Sequence, residues 1–161
     1  TRATEAQNFP MPTHRFFSIT LLMLLLSALS AWAQPAPLPE SSANGVRASL
    51  KGYTPERVTN YFVNGLWGSA PNTLNPMVYE VLSPTVRSKV SLAEFYKSFS
   101  SQRAKITQHT GSYQARTEGP APERARVIGT LNKKNLFTCE LSRHDGLWLV
   151  DRLVINGARL P

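Results

Sequence analysis

The chain has 161 residues, with 18 Lys and Arg against 10 Asp and Glu, a formal net charge of +8 and a mean hydropathy of −0.23. Its one cysteine, Cys139, excludes an intramolecular disulfide framework, and the length supports a single domain built on its own core. The basic residues are scattered, with no long run and no alternation with aromatics. That excludes the pattern of a nucleic-acid binder and leaves a solvated basic surface, or weak attraction to an anionic membrane surface or acidic polymer.

Residues 1–10 precede the first methionine, Met11, and read as a remnant upstream of the true start. Residues 11–33 read as a secretory signal peptide. His14 and Arg15 form a basic flank, an apolar run covers 16–29, and Ala31-Trp32-Ala33 supplies small residues for cleavage between Ala33 and Gln34. The competing reading is a membrane anchor, but 14 apolar residues fall short of the ~20 needed to cross a bilayer. Cys139 lies far from the cleavage site, so no lipid-attachment cysteine is present there. The expected product is exported to a periplasmic, luminal or extracellular space without stable membrane insertion. Cleavage leaves 128 residues and removes Arg2, Arg15 and Glu5, giving 16 basic against 9 acidic residues.

Residues 34–52 carry Pro35, Pro37, Pro39 and Gly45 and read as a flexible linker without apolar period. A single domain is expected over 53–161. Thr54-Pro55-Glu56 is a helix start, and Val58, Tyr61, Phe62 and Leu66 continue at helical spacing to residue 67, with Thr59, Asn60 and Asn64 off that face. Asn75-Pro76 and Ser83-Pro84 open two short helices. Ser91 and Glu94 form a capping box for a helix over 92–102 that buries Leu92, Phe95, Tyr96 and Phe99.

The pattern then turns to strands. Residues 104–117 read as a long strand, broken near Gly111, and 124–133 as a second. A tight turn at Lys134-Asn135 leads to a strand over 136–143 with Phe137, Cys139 and Leu141 on one face. Asp145-Gly146 is the strongest hairpin signal, and a last strand over 147–156 ends at Asn156-Gly157. Helices followed by an antiparallel meander of about four strands predict an α+β fold with the helices on one face of a curved sheet.

A long capped helix, shorter helices and a meander ending in Asp145-Gly146-Leu147-Trp148-Leu149-Val150 resemble the nuclear-transport-factor-2-like superfamily, the cystatin-like cone. The resemblance covers 54–155. It implies a cone with a cavity that supports isomerases and dehydratases, or domains that only bind or dimerise. Fold alone does not choose among them. The family's enzymes carry a His–Asp or Tyr–Asp set inside the cone, which makes His109 and Asp151 the catalytic candidates here. His144-Asp145 sits at a turn and serves its geometry.

Asp151 shares an alternation with Leu149 and Leu153 but reads first as an exposed acid on a half-solvated face; if buried it needs a partner, which Arg126 could supply. Tyr61, Trp67, Tyr96, Phe99 and Trp148 are candidates to line a ligand pocket, although any core of this size holds such residues. One Cys and isolated His residues make no zinc set, and no cofactor motif occurs. Cys139, among Leu136, Phe137 and Leu141, reads as a core residue. The expected function is an exported, non-catalytic domain that binds an apolar small molecule or a protein, a second copy of itself among the candidate partners, and no nucleic acid. The alternatives are a cavity enzyme of isomerase or dehydratase type using His109 or Asp151, and an envelope assembly domain. An assembly domain would offer an apolar patch at Ile128, Leu147, Leu149 and Leu153.

Overall fold

Hydroxyl and proline residues start most helices of the computed structural model, which describes residues 36–69, 74–106, 112–119 and 121–161. Helix α1 covers Glu40–Ser49 and α2 covers Pro55–Gly68. Two single-turn helices follow, α3 (Met77–Glu80) and α4 (Pro84–Arg87), then α5 (Leu92–Gln102). Thr54 caps α2 by accepting from the Arg57 amide at 3.4 Å, and Ser83 caps α4 by accepting from Val86 at 3.3 Å. At α5 the capping box is complete. Ser91 Oγ accepts from the Glu94 amide, and the Ser91 amide donates to Glu94 Oε2 at 2.8 Å.

Helix α1 corrects the linker expected over 34–52. Ala43, Val46 and Leu50 fall three and four residues apart and are buried, with Glu40 in the first turn and Arg47 in the last. Arg47 donates to Glu80 Oε2 at 2.7 Å and ties the helix to α3.

The sheet has five strands in the order β1-β2-β3-β4-β5, all antiparallel neighbours. They are β1 (Gln114–Glu118), β2 (Arg124–Leu131), β3 (Lys134–His144), β4 (Leu147–Ile155) and β5 (Ala158–Leu160). The α+β class and helices-on-sheet arrangement are therefore as expected, with one more strand. Asn156-Gly157 does not end the sheet but turns it once more, both residues at positive φ. The first strand is shorter than expected: residues 103–106 continue past α5 as turns, and pairing begins at Gln114. The β2–β3 turn lies at Asn132-Lys133, with φ of 51° and 65°, two residues before the expected Lys134-Asn135. Without a glycine at the turn, the local signal did not discriminate between the two positions.

Two bulges break the alternation. Gly129 pairs with Phe137 and Thr130 with Asn135, so Leu136 is an extra residue in β3. Glu140 pairs with Arg152 and Leu141 with Val150, so Asp151 is an extra residue in β4. The second bulge marks a change of partner on the far side of β4. Before it, Val150 exchanges hydrogen bonds with Val81 and Ser83 at 2.9 and 2.8 Å, alongside Leu82. After it, β5 takes over. Gln102 closes the other side of β5: its side-chain amide accepts from the Arg159 N–H and donates to the Arg159 C=O, both at 2.8 Å.

The core lies between the helices and one face of the sheet. Val58, Phe62 and Leu66 of α2, Phe95 and Phe99 of α5, and Cys139, Leu153 and Ile155 of the sheet are all wholly buried. Each large apolar side chain removed from water contributes roughly 1.5–3 kcal/mol before entropy is counted. Thr59, read as facing away, is also wholly buried, because α2 is covered over a wider arc than the Val58–Phe62–Leu66 stripe implies. Gly129 makes room in this layer. A Cβ there would lie 2.2 Å from the Phe137 ring, which crosses the sheet over that glycine.

Candidate functional site

His109, Ala33 and Gln34 lie outside the described residues. The five aromatic pocket candidates are dispersed. Phe99 is wholly buried beneath the Arg103 guanidinium, whose carbon sits 5.6 Å from the ring centre, and Tyr96 is buried beside it on α5. Trp67 is buried at the end of α2, edge-on to Tyr113 at 5.5 Å; Tyr113 in turn meets Phe137 at 5.2 Å. Tyr61 is half-buried on α2, and Trp148 is half-buried on β4 near Arg143. None of the five lines the cleft beside Asp151 or the hollow at the Leu136 bulge. Tyr113, which sequence reasoning did not single out, joins helix to sheet by donating to Asn60 Oδ1 at 2.8 Å. Its burial raises its pKa.

Asp151 is partly exposed, in keeping with the reading of an acid on a half-solvated face and not with a buried pair. As the extra residue of a bulge it is half-exposed and stands out of register with Leu153, which lies wholly buried opposite Cys139. Arg126 does not pair with it. The four residues expected to form an apolar assembly patch do not form an exposed one: Ile128, Leu149 and Leu153 are all buried and Leu147 is half-buried.

What Asp151 does line is a cleft of about 300 Å³ on the face of the sheet turned away from the helices. Its walls are Arg124 and Arg126 of β2, Glu140 of β3 and Asp151 of β4. Ala125 and Leu141 form the floor, and Gly119 and Ala121 of the β1–β2 loop form one side. Local folding explains the group. Arg124 and Arg126 are two apart on one strand and so share a face, and Arg126 lies directly across from Glu140. Asp151, the extra residue of the β4 bulge, completes the lining. A smaller hollow of about 170 Å³ lies at the Leu136 bulge, between β3 and β4.

The four charged walls are unengaged. Three ion pairs occur among the described residues: Glu80 Oε2 with Arg47 and with Arg87, at 2.7 and 3.0 Å, and Arg116 with Glu118, at 2.7 Å. None includes a residue of the cleft, and no hydrogen bond reaches those side chains. Glu80 is by contrast heavily engaged; burial, then the nearby Arg47, lower the Arg87 pKa.

Elsewhere the titratable groups serve structure. Glu56 accepts a short hydrogen bond from Thr117 and so ties the start of α2 to β1; burial works to raise its pKa, but hydrogen bonds led by Thr117 bring it below the ordinary value. His144 bonds Ser142 Oγ at 2.9 Å beside the Asp145-Gly146 turn, where both turn residues have positive φ. Cys139 is wholly buried, and its thiol is pushed up to about 12 by burial, with Thr59 opposing slightly. A thiol held neutral in this way is no nucleophile. Among the described residues no cluster of three or more His, Cys, Asp and Glu side chains could hold a metal, and no helix is long and apolar enough to cross a membrane. Comparison with protein-family models gives no match, and comparison with curated protein sequences gives none.

Proposed function

We propose that this chain is an exported, non-catalytic binding domain that takes a small molecule on the outer face of its sheet. One observation carries the reading: a cleft of about 300 Å³ walled by Arg124, Arg126, Glu140 and Asp151, none of them engaged by the protein itself. That volume is at the lower bound of ordinary ligand pockets. The expected apolar ligand inside a cone is less well supported, because Phe62, Phe95, Phe99 and Phe137 fill the layer between helices and sheet. Among the described residues no hydrogen bond or ion pair orients Asp151, which favours the binding reading over a cavity enzyme built on that residue. The order of capped long helix, short helices and antiparallel meander supports placing the domain with nuclear-transport-factor-2-like folds.

Native mass spectrometry of the protein recovered from the extracytoplasmic fraction tests both halves of this proposal. A chain beginning at Gln34 that carries a small mass, lost on denaturation, is the expected result. A chain that keeps residues 1–33 would end the export reading, and a bound protein in place of a small mass would turn the reading toward an interaction module.

A further inference from the structure

We propose that the cleft beside Asp151 binds a small zwitterion, a molecule carrying a carboxylate and an ammonium group a short span apart, of the free amino acid or dipeptide class. The proposal rests on the binding reading above and names its ligand chemistry.

The charge pattern carries it. Two guanidiniums and two carboxylates converge on one hollow, with Arg126 and Glu140 facing each other across adjacent strands. A simple anion entering there meets Glu140 and Asp151 as well as the arginines. A simple cation meets Arg124 and Arg126 as well as the acids. Only a ligand bearing both signs satisfies both sets, with its carboxylate on the guanidiniums and its ammonium on the acids. The same balance discriminates against anionic polymers, which the overall positive charge would otherwise attract.

The pairing habits of the rest of the molecule make the open charges informative. Glu80 is engaged by two arginines and Glu118 by one. Glu140 lies between Arg126 and Arg152 in the cross-strand register, yet makes an ion pair with neither. The cleft is also roomy in the right place. Its floor and side are Ala125, Leu141, Gly119 and Ala121, so no long side chain fills it. Asp151 supplies the second acid: it follows the buried Val150, so the alternation turns it away from the core, and as the extra residue of the bulge it has no cross-strand partner on β3.

The test is nuclear magnetic resonance of the ¹⁵N-labelled full chain, titrated with three probes of nearly equal size. L-alanyl-L-alanine carries both charges, N-propionyl-L-alanine only the negative one, and L-alanyl-L-alaninamide only the positive one. The dipeptide is expected to shift the amide resonances of Ala125, Leu141 and Asp151 saturably at millimolar concentration, with each single-charge probe roughly tenfold weaker or worse. Arg126→Gln and Asp151→Asn should each weaken dipeptide binding roughly tenfold while leaving the unfolding midpoint in place. A single-charge probe that binds as well as the dipeptide overturns the ligand class and leaves the cleft reading standing. No shift at these residues from any of the three overturns both.

Discussion

The two faces of the sheet are built by opposite rules. On the helix side every group is closed: Phe137, Cys139, Leu153 and Ile155 are at or near zero exposure, Thr59 sits beside the one thiol, and a glycine is needed merely to let a ring lie flat. On the other side the register sets Glu118, Arg126, Glu140 and Arg152 in one row across four strands, with Arg116 and Arg159 flanking Ile128, Thr138 and Val154 in the next. The strands are the same; only the alternation separates core from charge. Apolar burial therefore resides on one face and the charged groups stand on the other, because a polar group buried without a partner is costly and an exposed one is not.

Breaking the closed face should cost most. Phe137→Ala removes a ring that touches Tyr113 and covers Gly129, and should destabilise by about 3–5 kcal/mol in urea unfolding. Arg126→Gln, one strand away on the open face, should change stability by less than about 0.5 kcal/mol. Equal losses would erase the distinction between the faces.

Gly129→Ala comes next, at about 1–3 kcal/mol, since the new methyl meets the Phe137 ring. Combined with Phe137→Ala it should cost less than the two single losses together; simple additivity would mean that the ring is not what the glycine accommodates.

Cys139 should report the closed face by chemistry. It is expected to resist thiol reagents at neutral pH and to react fully once unfolded in urea. Its folded pKa is raised above the ordinary thiol value of about 8.5. The stability linked to this group is therefore present below that pH and is lost as pH rises toward about 12, when the unfolded chain ionises first. Cys139→Ala should flatten that part of the alkaline unfolding curve.

The smallest effects are gains. Lys133 sits at a φ of 65° in the β2–β3 turn, and Lys133→Gly should stabilise by roughly 1 kcal/mol. A Cβ at Gly45 in α1 meets nothing within 4 Å, so Gly45→Ala should add about 0.5–1 kcal/mol.

What the sequence disclosed followed the strength of local chemistry. Capping residues placed α2, α4 and α5, and Asp145-Gly146 placed the last long hairpin, because those signals act over a few residues. Helix α1 was hidden by Gly45 and three serines, poor helix formers, and is held instead by Val46, Leu50 and a bond from Arg47 to Glu80, 33 residues away. Bulges were illegible for a similar reason: Leu136 and Asp151 become extra residues only when paired against a neighbouring strand. The candidate site was thus half visible. The exposure of Asp151 was legible, but Arg126 entered only as its partner in the event of burial, whereas the two stand as separate walls of an open cleft.

The Gln102 amide has one further consequence. With its N–H and C=O it supplies Arg159 with the two bonds that a sixth strand would make. A foreign strand approaching at that residue finds both positions taken by the chain's own last helix. One glutamine thereby acts as a stop against self-propagating sheet growth, and Gln102→Ala should show itself first as aggregation on storage rather than as a change in the melting curve.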